Sequence, residues 1–317
     1  MSGDRGPSVI RLAERALRDA AHIHRGDTVV AAVSGGPDSM AMLDILVRCA
    51  STLGFCVHAH GVDHGLRTAA AAELDLAEAF AVQLGVPFSR TCLHIAQAGN
   101  LQARARTARY EALERTAIRL GARVIATAHH ADDQAETVLM RLLRGAGPRG
   151  LAGLRVDSPL RGDSDVRVVR PLLHARRAAL LAHNHRFRIP SVQDPSNANP
   201  RFLRVRVRTE LLPLLEQLSP RVVDHLCALA EQFGNMHSTL DTSFPLPRPT
   251  QVALSKLAAT RSRTTRVWLP GGLFAAIDDS ETPSRRRRSA HSAAPPEKTT
   301  AVAQIRDDGV SHVPSDG

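Results

Sequence analysis

The apolar run Thr28–Val33 leads straight into Ser34-Gly-Gly-Pro-Asp-Ser39, and Met40–Val47 then reads as the start of a helix. Val29-Val-Ala-Ala-Val33 has the character of a buried strand. The glycine pair Gly35-Gly36 lets the backbone turn tightly and approach a ligand without interference from a Cβ. A helix that opens directly after such a turn points unpaired N–H groups outward, which suits an anion, and phosphate above all. The spacing is not that of the common phosphate loops: G-x-x-x-x-G-K-[ST] and G-x-G-x-x-G are both absent. Taken alone, the hexapeptide is equally consistent with a plain strand–helix turn.

The rest of the first two hundred residues repeats this alternation. Phe55–Val62 reads as a strand ending at Asp63-His64-Gly65, Ala69–Leu84 as an alanine-rich helix, and Phe88–Ile95 as a third strand. Leu101–Leu120 reads as a basic helix and Ala122–Ala128 as a fourth strand, after which His129–Asp133 turns into a helix over Gln134–Leu143. A β-α-β-α rhythm predicts an α/β fold, a doubly wound parallel sheet with helices on both faces. Ligands of such sheets sit at the carboxyl ends of the strands, so the Ser34 loop, Asp63-His64 and His129–Asp133 are expected around one crevice. Val166–Leu172 predicts a further short strand and Leu180–Phe187 part of a helix, followed by the turn-rich loop Asp194–Pro200. Pro213 interrupts the helical pattern of Arg201–Leu218, and Arg221–Asn235 is amphipathic. The expected organisation is a catalytic domain over 1–218, a helical linker over 219–240 and a C-terminal region over 241–317. In that last region Arg285–Arg288 and a Ser/Ala/Pro-rich end predict disorder.

The chain has 317 residues, 43% of them hydrophobic, and a formal net charge of +10. It is long enough for a domain with appendages and a real core. With no apolar run of membrane-spanning length and no signal-peptide pattern at its start, a cytoplasmic protein is expected. Cys49, Cys56, Cys92 and Cys227 form no C-x-x-C pair, which argues against a disulfide frame or a thiolate metal site. The basic excess predicts a polyanionic partner, most simply nucleic acid. All but two of the 41 basic residues are arginine, the exceptions being Lys256 and Lys298.

Chemistry concentrates in Ala128-His-His-Ala-Asp-Asp-Gln-Ala-Glu-Thr137. Asp132, Asp133 and Glu136 lie near a helix start, where carboxylates suit the dipole. Asp133 and Glu136 are three residues apart and share one helix face, so together they can hold an ammonium group or a metal, or simply serve as capping and solvated acids. A second cluster, Arg201, Arg204, Arg206 and Arg208, is the best nucleic-acid patch. If that segment is extended, Arg204, Arg206 and Arg208 share one strand face and contact phosphates.

With serines at both ends and an aspartate inside, Ser34–Ser39 resembles the PP-loop, S-G-G-x-D-S, of the N-type ATP pyrophosphatases, whose fold is that of the adenine nucleotide alpha hydrolases. Further motifs occur in order. Asp63-His-Gly-Leu-Arg67, Ala105-Arg-Thr-Ala-Arg-Tyr110, Leu143-Arg-Gly145 with Gly150-Leu-Ala-Gly153, Arg170-Pro-Leu-Leu173 and Asp194-Pro-Ser-Asn197 resemble those of the tRNA(Ile)-lysidine synthase family. Arg204, Arg206 and Arg208 match that family's R-N-R-I-R, with Val205 in place of the asparagine.

The resemblance implies a ligase that uses ATP and Mg²⁺, free lysine, and a tRNA(Ile) with a CAU anticodon. The wobble cytidine is adenylated at its C2 oxygen, and the lysine ε-amine then displaces AMP. It also implies ATP binding by Ser34, Gly35, Gly36, Pro37, Asp38 and Ser39, with Asp38 holding magnesium, lysine binding by Asp133 and Glu136, and a phosphate or tRNA contact by Arg109. Three other readings remain. A tRNA thiolase of the same superfamily normally needs paired cysteines. A glutamine-fed synthetase needs a glutaminase-like cysteine context. An RNA-binding remnant is suggested by the short, poorly patterned tail, where Leu269-Pro-Gly-Gly-Leu273 alone has a family look.

Overall fold

A computed structural model describes residues 8–20, 23–63, 65, 69–93, 101–161, 164–192 and 202–239, and the pairs 267–268 and 274–275. The chain falls into two compact units, Met1–Thr239 and Leu240–Gly317. In the second, the described residues are two short strands, Val267–Trp268 and Phe274–Ala275, paired antiparallel. Arg201, Asp194–Pro200, most of the Asp63–Arg67 motif, Arg285–Arg288 and Leu269–Leu273 lie outside the described residues.

The first unit opens with α1 (Val9–Asp19), capped by the Ser8 hydroxyl. Then follow β1 (Thr28–Val33), α2 (Pro37–Leu53), β2 (Cys56–Asp63), α3 (Ala69–Gln83), β3 (Phe88–Cys92), α4 (Leu101–Arg119), β4 (Val124–Ala126) and α5 (Ala131–Leu143). The short α6 (Pro148–Leu151) precedes β5 (Asp157–Pro159), β6 (Arg167–Val169) and α7 (Arg177–Phe187). Beyond them lie α8 (Leu203–Arg206), a π-helical turn over Val207–Leu211, α9 (Leu212–Leu218) and α10 (Val222–Thr239).

The sheet order is β3-β2-β1-β4-β6-β5, parallel throughout except for the antiparallel edge strand β5. The period-two alternation of strand side chains divides β1 between two cores. Val29, Ala31 and Val33 pack with α1, α2 and Ala77, Phe80 and Ala81 of α3. Val30 points the other way, onto Leu113 and Ala117 of α4. Helices α2 and α3 therefore cover one face and α4 the other. The chain runs from β1 outward to β3, then crosses under the sheet to β4, and the direction of winding reverses between β1 and β4.

Besides α1 and α6, which the sequence reading did not anticipate, three elements differ from expectation. Helix α5 begins at Ala131, not Gln134, so Asp132 and Asp133 lie inside its first turn. Edge strand β5 was not anticipated: it is three residues long and ends in a proline, which an edge tolerates because no neighbour needs its missing N–H. Residues 203–218 are helical, in line with the helical pattern of Arg201–Leu218, so the conditional placing of Arg204, Arg206 and Arg208 on one strand face falls. Val207, Leu211, Leu212 and Leu215 pack against α5 and α10, and that apolar face selects a helix over a strand. Pro213 has no N–H to give the Thr209 carbonyl, and the ladder locally widens: the Leu212 amide bonds the Val207 carbonyl five residues back.

A buried polar tie fastens α7 to α2. Asp44, 3% exposed, accepts from His183 Nε2 at 2.7 Å and from Arg48 Nε at 2.6 Å. Burial alone would raise the Asp44 pKa, but His183 and Arg48 outweigh it and hold the carboxyl below its usual 3.8. The resulting stabilisation is complete above that ordinary value and is lost as pH falls through the depressed one. Asp44→Asn should therefore cost about 2 kcal/mol at neutral pH, a fall in Tm of about 4–8 °C. The gap between wild type and variant should close as the pH of the melt is lowered below 3.8. A gap independent of pH would refute the ionic origin.

Candidate active site

The reversal point between β1 and β4 is where an open α/β sheet leaves a crevice at its carboxyl edge. The loop Ser34–Ser39 leaves β1 there, and Thr127–His130 leaves β4.

Gly35 has φ of +75°, and a Cβ at this position would collide with the Glu73 carbonyl, so the turn admits glycine alone. The Ser39 hydroxyl closes the loop. It donates to the Gly36 carbonyl at 2.9 Å, accepts the Ser34 amide at 3.1 Å and lies 3.2 Å from the Ser34 hydroxyl. Gly36 is the N-cap of α2 with no side-chain cap, and Pro37 occupies the first turn without an N–H to satisfy. The start of a 17-residue helix is thus left open toward the crevice.

Asp38, in the first turn of α2, faces the start of α5. Its Oδ2 lies 3.7 Å from His130 Nε2, and its Oδ1 lies 3.5 Å from Arg177 Nε. Neither Oδ1 nor that Nε completes a hydrogen bond, although both are buried. Burial would raise the Asp38 pKa, but His130, Arg177 and Arg208 outweigh it and keep the carboxyl below its ordinary range.

His130 is 1% exposed and caps α5. Its Nδ1 accepts the Asp133 amide at 3.3 Å, and Asp133 Oδ2 accepts the His130 amide at 3.2 Å, a reciprocal capping box. Burial favours the neutral ring, but Asp38, Asp133 and Asp132 outweigh it and raise its pKa above 6.5. The neighbouring His129 is driven the other way, down to about 3, by burial and by Arg170, Arg106 and Arg109 against the pull of Asp133.

The two carboxylates on one face of α5 are already engaged. Glu136, 1% exposed, accepts from Arg208 Nε at 2.5 Å and from Arg204 Nε at 2.7 Å. Asp133 Oδ1 accepts from Arg204 Nη2 at 3.0 Å and from Arg208 Nη2 at 3.4 Å. Four residues apart on a helix, Arg204 and Arg208 project together, while Arg206 points elsewhere and pairs with Glu210 at 3.0 Å. The arginine run is therefore not one phosphate-facing row. Two of its members turn inward to the carboxylates, and one stays on the surface.

Asp132 serves the fold. It receives Arg176 at 3.1 Å and the Arg177 amide at 2.7 Å, capping α7 and steering Arg177 toward Asp38. Arg109 lies farther along the crevice, half-buried, with its guanidinium 5.6 Å from the Tyr110 ring centre. The cysteines are free, and none is poised as a nucleophile at these groups. Cys227 donates to the Ala131 carbonyl at 3.4 Å, and burial pushes its thiol up to about 12. The structure places Asp38, Asp133 and Glu136 around one crevice, together with Arg177 and His130, to which the sequence reading gave no separate roles.

Among the described residues no group of three or more His, Cys, Asp or Glu is placed to hold a metal ion, and no helix is long and apolar enough to cross a membrane. The bare Oδ1 of Asp38 nevertheless suits a magnesium ion, which takes one or two carboxylates and fills its shell with water and phosphate oxygens.

The PP-loop domain family matches residues 10–215. A tRNA(Ile)-lysidine synthase of Novosphingobium aromaticivorans is 44% identical over 206 residues, 65% of this chain and 62% of that one. One of Mycobacterium bovis is 35% identical over 295 residues, covering 88% of this chain and 86% of the relative. This chain spans between 47% and 62% of the length of three other-sized curated relatives of the same name. Among solved structures, the U34-tRNA thiolase of Methanococcus maripaludis shares the fold, with a TM-score of 0.59 at 19% identity over 72% of this chain and 80% of that one.

Because Gly35 sits in the left-handed region against a backbone carbonyl, Gly35→Ala should destabilise the loop by about 1–2 kcal/mol. It should also weaken ATP binding at least tenfold by calorimetry. Unchanged ATP affinity would show that the loop is not the phosphate cradle.

Proposed function

Because the chain belongs to the tRNA(Ile)-lysidine synthase family of PP-loop proteins, we propose that it ligates lysine to the wobble cytidine of a CAU-anticodon tRNA(Ile) at the expense of ATP. The observation that carries this reading is the pair Asp133 and Glu136, held side by side on α5 and bridged by two guanidinium groups, across the crevice from the Ser34–Ser39 loop. It is a receptacle for organic cations beside a receptacle for phosphate.

In the first step the C2 oxygen of the cytidine attacks the α-phosphorus of ATP, and pyrophosphate leaves. The open N-terminus of α2, behind Gly36 and Pro37, stabilises charge on the departing group. Asp38 is the residue that would hold magnesium, which when bound offsets phosphate charge. In the second step the lysine ε-amine attacks C2, AMP leaves, and the amine loses a proton. Asp133 and Glu136 hold lysine through its ammonium character, exchanging it for Arg204 and Arg208. The freed arginines then face the crevice, where the tRNA backbone or the triphosphate supplies new partners. Arg109 is assigned a phosphate contact on the same side. Arg206, exposed and paired only with Glu210, remains a surface contact for the tRNA, and Arg201 is assigned there by its sequence neighbourhood. This is a cytoplasmic reaction, with tRNA and free lysine as partners. A thiolase reading lacks support, because the thiols described lie outside this carboxylate–phosphate pair and Cys227 is held protonated.

The deciding assay combines CAU-anticodon tRNA(Ile), ATP and labelled lysine. Incorporation of label with release of AMP is expected, and RNA binding without incorporation would favour a remnant. Asp133→Asn should raise the lysine KM or lower kcat by at least tenfold with ATP affinity unchanged. Collapse of ATP affinity instead would reverse the assignment. Glu136→Gln should additionally lower stability by about 1–3 kcal/mol, because it leaves Arg204 and Arg208 without half of their shared charge. Asp38→Ala should abolish pyrophosphate release.

A further inference from the structure

A cavity of about 430 Å³ opens between α4 and the β5–β6 edge of the sheet, and none of Asp38, Asp133 and Glu136 lines it. That volume is ample for one nucleotide. Arg106, Arg170 and Arg161 line it together with Tyr110, Leu160 and Val168.

Its charge is unbalanced. Arg170 is only 7% exposed, and its Nη1 donates to the Arg155 carbonyl at 2.8 Å and to the Ser158 hydroxyl at 3.0 Å. Its buried Nε has no acceptor. Arg106 Nη2 donates to the Tyr110 hydroxyl at 3.5 Å, and the Arg109 guanidinium lies 5.6 Å from the Tyr110 ring centre. Two guanidinium groups thus flank Tyr110, which lines the cavity together with Arg170. The nearby carboxylates have other partners: Glu111 and Glu114 take Arg161, and Asp157 takes Arg167 at 2.8 Å. Burial, and after it the charge of Arg106, holds Arg109 and Arg170 below the usual arginine range, with Asp157 acting against it at Arg170. Pro159, Leu160 and Val168 add apolar side chains to the lining.

We propose that this cavity is a subsite for single-stranded RNA, in which Arg106 and Arg170 hold a phosphodiester and the adjoining base lies against Leu160 and Val168. The site rests on the reading of the chain as a tRNA-modifying enzyme and names how it grips a nucleotide beside the one modified. Strand spacing of about 4.8 Å puts β6 and β5 roughly 10–15 Å from β1. The cavity is therefore displaced from the Ser34–Ser39 loop toward the sheet edge, where a polymer can pass.

The test uses the full chain, a fluorescein-labelled single-stranded RNA heptamer with CAU at its centre, and ATP. Arg106 is exposed, so Arg106→Ala leaves the core untouched. It should weaken RNA binding about fivefold or more at 0.1 M salt and lower the slope of log affinity against log salt by about 0.7, the signature of one lost phosphate contact on a single strand. ATP affinity should stay within twofold. Arg170→Lys keeps the charge but removes the planar donor set, and should also weaken the heptamer several-fold. RNA affinity and salt slope unchanged in both variants would overturn the subsite. A loss confined to ATP would assign the cavity to the triphosphate and overturn it equally. If wild type incorporates no lysine but Arg106→Ala still lowers heptamer affinity, the ligase reading falls and the RNA subsite stands.

Discussion

Three residue pairs in parallel register, Val29 with Val124, Val30 with Ile125 and Ala31 with Ala126, hold β1 beside β4. Both strands are buried on both faces, so the ladder cannot slip without turning apolar side chains toward the wrong layer. The loops that follow these strands emerge a few ångströms apart, one opening α2 and the other opening α5. Asp38 meets His130 across this gap because the winding reverses there. Residues nearly a hundred positions apart in sequence become neighbours through backbone pairing, before any side chain of the site makes a contact.

Much of this was legible in the chain. Strand β1 and the glycine turn after it follow from the apolar run and Gly35-Gly36, because little else than a buried strand and a positive-φ turn fits that order of residues. The alternation of elements through α5 was readable for the same reason, most boundaries being marked by glycine or proline, though not the step Thr127–His130 from β4 to α5. What gave way was the conditional strand face of the arginine run, inside a segment whose wider pattern already reads as helical. Arg204, Arg206 and Arg208 alternate with valines, a period-two pattern that reads as a strand. The local pattern lost to packing further along: Leu211, Leu212 and Leu215 need one helical face against α5 and α10. Alternation in sequence then became separation in space, with Arg204 and Arg208 inward and Arg206 outward.

Asp132 and Asp133 illustrate a second limit. Adjacent carboxylates in a sequence look like one acidic cluster, yet successive helical positions diverge by about 100°. One of them caps α7 and orients Arg177, and the other enters the crevice. Composition cannot tell these roles apart, because they depend on where α7 returns. Likewise His130 carries no sign in the sequence of its two contacts: its ring completes a helix cap and, through Nε2, faces Asp38.

The inward arginines also bear on how such a site is kept ready. A carboxylate as buried as Glu136 is costly to hold without a partner, and two half-exposed guanidinium groups supply that partner from a short helical segment. Under the proposed reading, an incoming ammonium group replaces one cation with another. The carboxylates need not be stripped of water a second time, and the displaced arginines need not be reburied, since they are partly in solvent already. The π-helical turn at Val207–Leu211, imposed by Pro213, lies within the segment that carries Arg208. Its widened ladder departs from the regular α-helical bonding within the segment whose arginines the proposed exchange would release.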